Sequence, residues 1–224
     1  MEKRPLTRQE LCNRLAMEFQ NGWIVNLGVG MPTLCSNYVD PNCVPVFQSE
    51  NGVIGYGPQA MEGEEDPYLV NAGAEYVLML PGGSILNSAD SFSLIRAGYV
   101  DVTVLGAYEV AENGDFANWK TEGSKGGAIG GAMDLAVNAK RVYIAMEHTT
   151  KDGNPRLLTR CSLPVTAVGV VKLLATNLGL FEITGDGFLL KEIAPGYTVD
   201  EIQAVSGAQL IVSSGLKEMS ISGY

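Results

Sequence analysis

Two short runs, at 100–105 and 142–146, are built almost wholly from apolar and β-branched side chains. A strand with one wet face alternates polar and apolar residues. A continuously apolar strand must be covered on both faces, as in a parallel sheet with helices on either side. Parallel strands need long crossover connections, and helical signals lie between the strand-like runs. Thr7-Arg8-Gln9-Glu10 is a capping box, and Leu11, Leu15 and Phe19 follow at four-residue spacing. This predicts a helix ended by Asn21-Gly22. A strand at 23–27 then runs into Gly28-Val29-Gly30, Pro32-Thr33 starts a second helix, and Pro41 closes it. Further along, the pattern predicts a strand at 44–48 and an acidic surface loop at 58–67. A strand at 76–80 is stopped by Pro81-Gly82-Gly83, and a helix at 88–96 by Gly98. Residues 112–131 read as a glycine-rich loop region. A helix is expected within 163–177, strands at 180–183 and 188–193, and a strand at 209–212. Thr198-Val199-Asp200-Glu201 is a second capping box that opens a short helix. Together these predict one α/β domain over 1–224: an open, mostly parallel sheet flanked by helices, with right-handed crossovers.

With 224 residues the chain is long enough to bury a substantial core, and 46% hydrophobic with 18% charged residues suits a globular protein. No apolar run approaches the length of a membrane span. Met1-Glu2-Lys3-Arg4-Pro5 leads into an amphipathic helix rather than an apolar signal core, so a cytoplasmic protein is expected. The formal charge of −10 argues against nucleic acid as a partner. Cys12, Cys35, Cys43 and Cys161 have no CxxC spacing and His148 is the single histidine, so buried thiols are expected and a metal site is not.

The chemistry centres on Glu50, in Phe47-Gln48-Ser49-Glu50-Asn51-Gly52-Val53-Ile54-Gly55. Val44, Val46 and Phe47 form a short buried strand in this reading, and Asn51-Gly52 suits a tight turn. An α/β sheet places its chemistry beyond the carboxyl ends of its strands. A carboxylate there, hemmed in by small and apolar residues, is partly desolvated and reactive. The same residues also suit a solvated turn or a helix cap. Gly28 and Gly30 end the first strand on the same edge. They equally suit a bare strand-to-helix turn, since Thr33 occupies the third glycine position of GxGxxG. Gly123-Ser124-Lys125 is followed by Gly126, so the P-loop pattern is absent. His148, at the end of an apolar strand, reads as structural rather than catalytic, and no serine sits in a GxSxG elbow.

The segment FQSENGVIG resembles the signature of family I CoA-transferases in the form carried by their β subunits. Other segments match that family in order: Asn26-Leu27-Gly28-Val29-Gly30-Met31-Pro32-Thr33, Asn71-Ala72-Gly73, Leu80-Pro81-Gly82-Gly83, Ala117-Asn118-Trp119, Gly130-Gly131-Ala132-Met133-Asp134 and Ala145-Met146-Glu147-His148-Thr149. The resemblance runs from about residue 11 to about residue 212 and is similar to acetate/butyrate–acetoacetate and succinyl-CoA:3-oxoacid types. It implies the open α/β fold shared with ribose-5-phosphate isomerase. It also implies a catalytic glutamate at Glu50, a covalent glutamyl-CoA thioester, ping-pong exchange, and coenzyme A as cosubstrate. In this resemblance the amides of Gly130, Gly131 and Ala132 serve the oxyanion, although the same triplet suits a helix-start turn. Ser49 and Asn51 hold the turn.

The chain departs from the common β-subunit pattern at Arg96-Ala97-Gly98-Tyr99-Val100-Asp101, at Lys120-Thr121-Glu122-Gly123-Ser124-Lys125 and at Ile129, in loops that shape an acyl pocket. It lacks the SDGFG-like motif of the family's α subunit, so a homologous α partner and an α2β2 heterotetramer are expected. The net charge opposes CoA's phosphates, so local groups must hold them: helix N-termini, loop amides, or cations such as Lys120 and Lys125. Acyl-CoA hydrolysis through the same glutamate, a non-catalytic partner subunit and a sugar-phosphate isomerase are the competing readings.

Overall fold

The structure, a computed structural model, describes residues 3–220. The start of the leader reading, Met1-Glu2, lies outside that range. In chain order the elements are α1 (Arg8–Ala16), β1 (Ile24–Leu27), a 3-10 helix (Met31–Asn37), β2 (Val46–Gln48), β3 (Val53–Gln59), β4 (Val77–Ile85), α2 (Ser88–Arg96) and β5 (Val102–Leu105). There follow β6 (Glu109–Ala111), β7 (Phe116–Ala117), α3 (Ala132–Asn138), β8 (Val142–Met146), β9 (Leu157–Leu158), β10 (Val171–Thr176), β11 (Gly179–Thr184), β12 (Gly187–Ile193), α4 (Val199–Ala204) and β13 (Leu210–Glu218). Among the described residues no helix is long and apolar enough to cross a membrane.

Ten strands form one sheet in the order β13-β12-β11-β10-β8-β5-β1-β2-β3-β4. Its centre, from β10 through β8, β5 and β1 to β2, is parallel throughout. Antiparallel pairs flank the centre on both sides, and β13 returns parallel to β12. A small second sheet joins β7, β6 and β9. Alternation along the central strands divides the core in two. Val25 and Leu27, Val102 and Val104, and Tyr143 and Ala145 face α1 and the 3-10 helix. Ile144 and Met146, with Leu105 and Leu174, face Ile95 of α2, Leu135 of α3 and Ile202 of α4. Every residue of β5 and β8 is buried, which explains their unbroken apolar character.

Both capping boxes form: Thr7 and Thr198 each accept from the backbone of the glutamate three residues on, which reaches back in return. Four expectations need correction. No helix forms in 163–177; that stretch is loop followed by β10. Pro81-Gly82-Gly83 does not stop its strand, because β4 lies at the sheet edge and runs through it. A proline lacking an N–H is tolerated on an edge. Pro58 likewise belongs to β3, where the pairing register shifts between Tyr56 and Gln59, so the exposed loop begins after the strand. Val44 is exposed and precedes β2 rather than starting it.

Candidate active site

Four neighbouring strands, β2, β1, β5 and β8, end at one cleft of about 850 Å³. Glu50 lines it from the end of β2, Gly28 and Val29 from β1, Leu105 and Gly106 from β5, and Glu147 from β8. This is the carboxyl edge where open α/β sheets bind ligands.

The turn that carries Glu50 is fixed from all sides. Ser49 N–H donates to the Val53 carbonyl at 2.8 Å, and Gly52 N–H donates to the Ser49 carbonyl at 2.9 Å. Gly52 has φ +115°, and a Cβ there would lie 2.0 Å from the Leu86 carbonyl oxygen, so only glycine fits. Ser49 is buried; its hydroxyl accepts from Ala72 N–H at 2.8 Å and its carbonyl from the Ser91 hydroxyl of α2 at 2.8 Å. Asn51 turns away from the cleft and donates to the Val70 carbonyl at 2.7 Å. Ser49 and Asn51 thus fasten the turn to the 70–72 loop.

Asn26, fully buried in β1, donates to the Glu50 carboxylate. Its amide faces Oε2 of Glu50 at 3.3 Å and Oε1 of Gln48 at 2.9 Å, while its own oxygen accepts from Thr103 at 3.2 Å. Gln48 in turn donates to Ser91 at 2.7 Å. Burial raises the Glu50 pKa above its ordinary value, against which its own backbone N–H and Asn26 pull it down. The carboxylate is therefore poorly solvated yet held by a donor. The sequence motifs do not single out Asn26 as a site residue. A signal is nevertheless present: a lone amide inside the apolar run 24–27 must be hydrogen-bonded, and so marks a network.

Gly131 approaches Glu50 closely across the cleft. A Cβ there would sit 3.2 Å from Glu50 Oε1 and 3.3 Å from the Phe92 ring, with no strain in the backbone to forbid it. Gly130 and Ala132 line the cleft beside it, Gly130 with φ +53°. Gly28 lies against Val104 and Leu105, where a Cβ would be 3.1 Å from both. Gly30 does not line the cleft; with φ +90° it turns the chain into the 3-10 helix. Lys120 and Lys125 are also absent from the lining. Its cations are Arg8, Lys151 and Arg156, which no sequence motif sets apart.

His148 is wholly buried, behind the cleft rather than in it. Its ring nitrogens contact Thr176 at 3.0 Å and Ser206 at 2.9 Å, and burial lowers its pKa to about 4. A neutral imidazole bridging two hydroxyls is a structural tie. The four cysteines are free thiols, Cys12 and Cys35 buried and the other two half-buried. Among the described residues, no three His, Cys, Asp or Glu side chains cluster closely enough to hold a metal.

Residues 8–204 match the Coenzyme A transferase family. The chain is 44% identical to the β subunit of 3-oxoadipate CoA-transferase from Pseudomonas putida, over 92% of this chain and 97% of that protein. It is 43% identical to the β subunit of succinyl-CoA:3-ketoacid coenzyme A transferase from Helicobacter pylori, over 92% and 99% respectively. In fold it is similar to an acyl-CoA transferase from Escherichia coli O157:H7, with a TM-score of 0.74 and 20% identity, over 98% of this chain and 44% of the other. The decarboxylase AibA/AibB shares the architecture at a TM-score of 0.67 and 21% identity, over 97% and 90% of the two chains. With Glu50 facing a glycine-lined cleft at the sheet's carboxyl edge, these matches place the chain in the coenzyme A transferase family, among its β subunits.

Proposed function

We propose that this chain moves CoA between an acyl-CoA and a short-chain or 3-oxo carboxylic acid, with Glu50 as the covalent carrier. The observation that carries the reading is the partly buried Glu50 carboxylate, held by Asn26 and facing Gly131 across a cleft large enough for an extended cosubstrate.

Glu50 attacks the thioester carbonyl of the donor, and the C–S bond breaks to give an acyl-glutamyl anhydride and CoA thiolate. The thiolate then attacks the Glu50 carbonyl, forming the glutamyl-CoA thioester and releasing the first acid as its carboxylate. An acceptor carboxylate attacks that thioester, and the same steps in reverse return Glu50 and the new acyl-CoA. No net proton is transferred, which suits a cleft whose nearby histidine is buried, neutral and engaged elsewhere. Desolvation strengthens the carboxylate nucleophile and shields the anhydride from water. Backbone amides of Gly130, Gly131 and Ala132 stand beside Glu50 and serve each oxyanion in this reading.

The names of the relatives, 3-oxoadipate and succinyl-CoA:3-ketoacid transferases, support a 3-oxo or dicarboxylic acid as one substrate. Their designation as β subunits supports a homologous α partner, here assigned to an α2β2 assembly. The test is a panel of acyl-CoA donors and acid acceptors with the co-purified partner. Parallel-line kinetics with a 3-oxo acid, abolished by Glu50→Gln, are expected. CoA release that is independent of acceptor would instead mean hydrolysis.

A further inference from the structure

Arg156 stands at the opposite end of the cleft from Glu50. Its backbone is pegged: the N–H donates to the His148 carbonyl at 3.1 Å, and its own carbonyl accepts from Val110 N–H at 2.9 Å. Its guanidinium is not satisfied in the same way. Nε is shut off from solvent and has no hydrogen-bond partner. A charged donor left buried and unpaired is costly, and cleft-lining donors in that state are matched by ligand. Lys151 lines the same end, on the turn closed by the Thr149–Pro155 bridge and by Thr150 N–H to the Asn154 carbonyl at 2.8 Å. Among the described residues Lys151 and Arg156 have no acidic partner within salt-bridge distance. Arg8 completes the cluster and pairs with Glu147 at 3.2 Å. A chain of net charge −10 has therefore gathered three cations against one carboxylate at one end of its cleft.

Building on the proposed function, we infer that Arg156, Lys151 and Arg8 hold the phosphates of CoA while its sulfur faces Glu50. Sheet geometry chooses the phosphates over the second carboxylate of a diacid. β2 and β8 are separated by β1 and β5, so the two ends lie three inter-strand steps, or roughly 14 Å, apart. A short diacid cannot bridge that span from Glu50, whereas the long pantetheine arm can. Guanidinium also matches phosphate oxygens in bidentate fashion. The cluster supplies the local attraction that the overall charge denies.

The test is equilibrium binding of CoA, dephospho-CoA and pantetheine to the full-length chain assembled with its partner. Arg156→Gln and Lys151→Gln are each expected to weaken CoA by roughly tenfold. Pantetheine binding and the KM of the acid acceptor should be unchanged, and Arg156→Lys should recover part of the loss. CoA affinity should fall with added salt in the wild type, and less steeply in the glutamine variants. Dephospho-CoA assigns the contact: equal losses for both nucleotides place it at the pyrophosphate, and a smaller loss for dephospho-CoA places it at the 3′-phosphate. Unchanged CoA affinity in both variants would overturn the inference. So would a rise in the KM of a diacid alone, which would mark a carboxylate site. Lys151 is exposed, so its substitution does not threaten the fold. Binding needs no turnover and is readable even if Glu50 proves not to be the carrier. A Glu50 adduct with unaltered CoA affinity would sink this inference alone.

Discussion

Glu50 is set by a contest between burial, which favours its protonated form, and Asn26, which favours the carboxylate. The nucleophile is the ionised form, so transfer should fail toward acid along a single ionisation lying above 4.5. Asn26→Ala removes the favouring donor and should move that acid limb to higher pH, as a pH–rate profile will show. Stability has its own sign. A carboxyl whose folded-state pKa is raised contributes stability that is complete below its unfolded value and lost as pH rises through the folded value. At neutral pH ionised Glu50 is therefore a burden, and Glu50→Gln should melt above the wild type at pH 7 while losing activity. Gly131→Ala tests closeness alone. Its backbone accepts a side chain, but the new methyl meets Glu50 and Phe92. Thermal stability should change little, and transfer should fall roughly a hundredfold, in line with small misplacements at a reacting centre.

At the scale of elements, the β2–β3 turn and the anchoring of α1 are the two points of tight specification. Gly52→Ala combines φ +115° with a 2.0 Å clash against Leu86 and should prevent normal assembly of the turn, measured as loss of soluble or two-state-folding protein. Arg14 of α1 reaches Glu192 of β12 in a two-pronged contact of 2.6 and 2.8 Å, both side chains buried. Arg14→Met alone should cost about 3 kcal/mol by leaving Glu192 buried with only Lys217, at 3.2 Å. Adding Glu192→Leu should restore part of that loss in urea melts. These elements are not equally legible in the sequence. β5 and β8 announce themselves because burial on both faces leaves no polar position. The 171–176 segment misleads because a short apolar run carries no period that separates strand from helix. Pro81 misleads because its meaning depends on whether the strand is central or at an edge, which is a property of the assembled sheet. In the site, Glu50 and Gly131 can be named from motif alone. Arg156 cannot, since an arginine in a turn looks like any surface charge until the fold carries it to the cleft rim.

On the scale of the whole molecule, His148 ties the end of β8 to β10 through Thr176 and to Ser206 after α4. Its folded pKa of about 4 lies below the ordinary value of 6.5. The unfolded chain therefore binds the extra proton between those values, so this tie stabilises fully above 6.5 and is lost as pH falls toward 4. The shift corresponds to at most about 3 kcal/mol. Denaturation at about pH 7.5 and about pH 4.5 should show that loss, and His148→Asn should flatten it. The central claim spans all three scales, since a residue in a turn, fixed by the sheet, becomes the carrier in an assembled enzyme. It is tested most directly by mixing the complex with an acyl-CoA donor, without acceptor, and mapping the modified peptide by mass spectrometry before and after borohydride. A CoA adduct on Glu50, with that side chain reduced to a primary alcohol, is the predicted result. An adduct on any other residue, or complete transfer with Glu50 never modified, would contradict it.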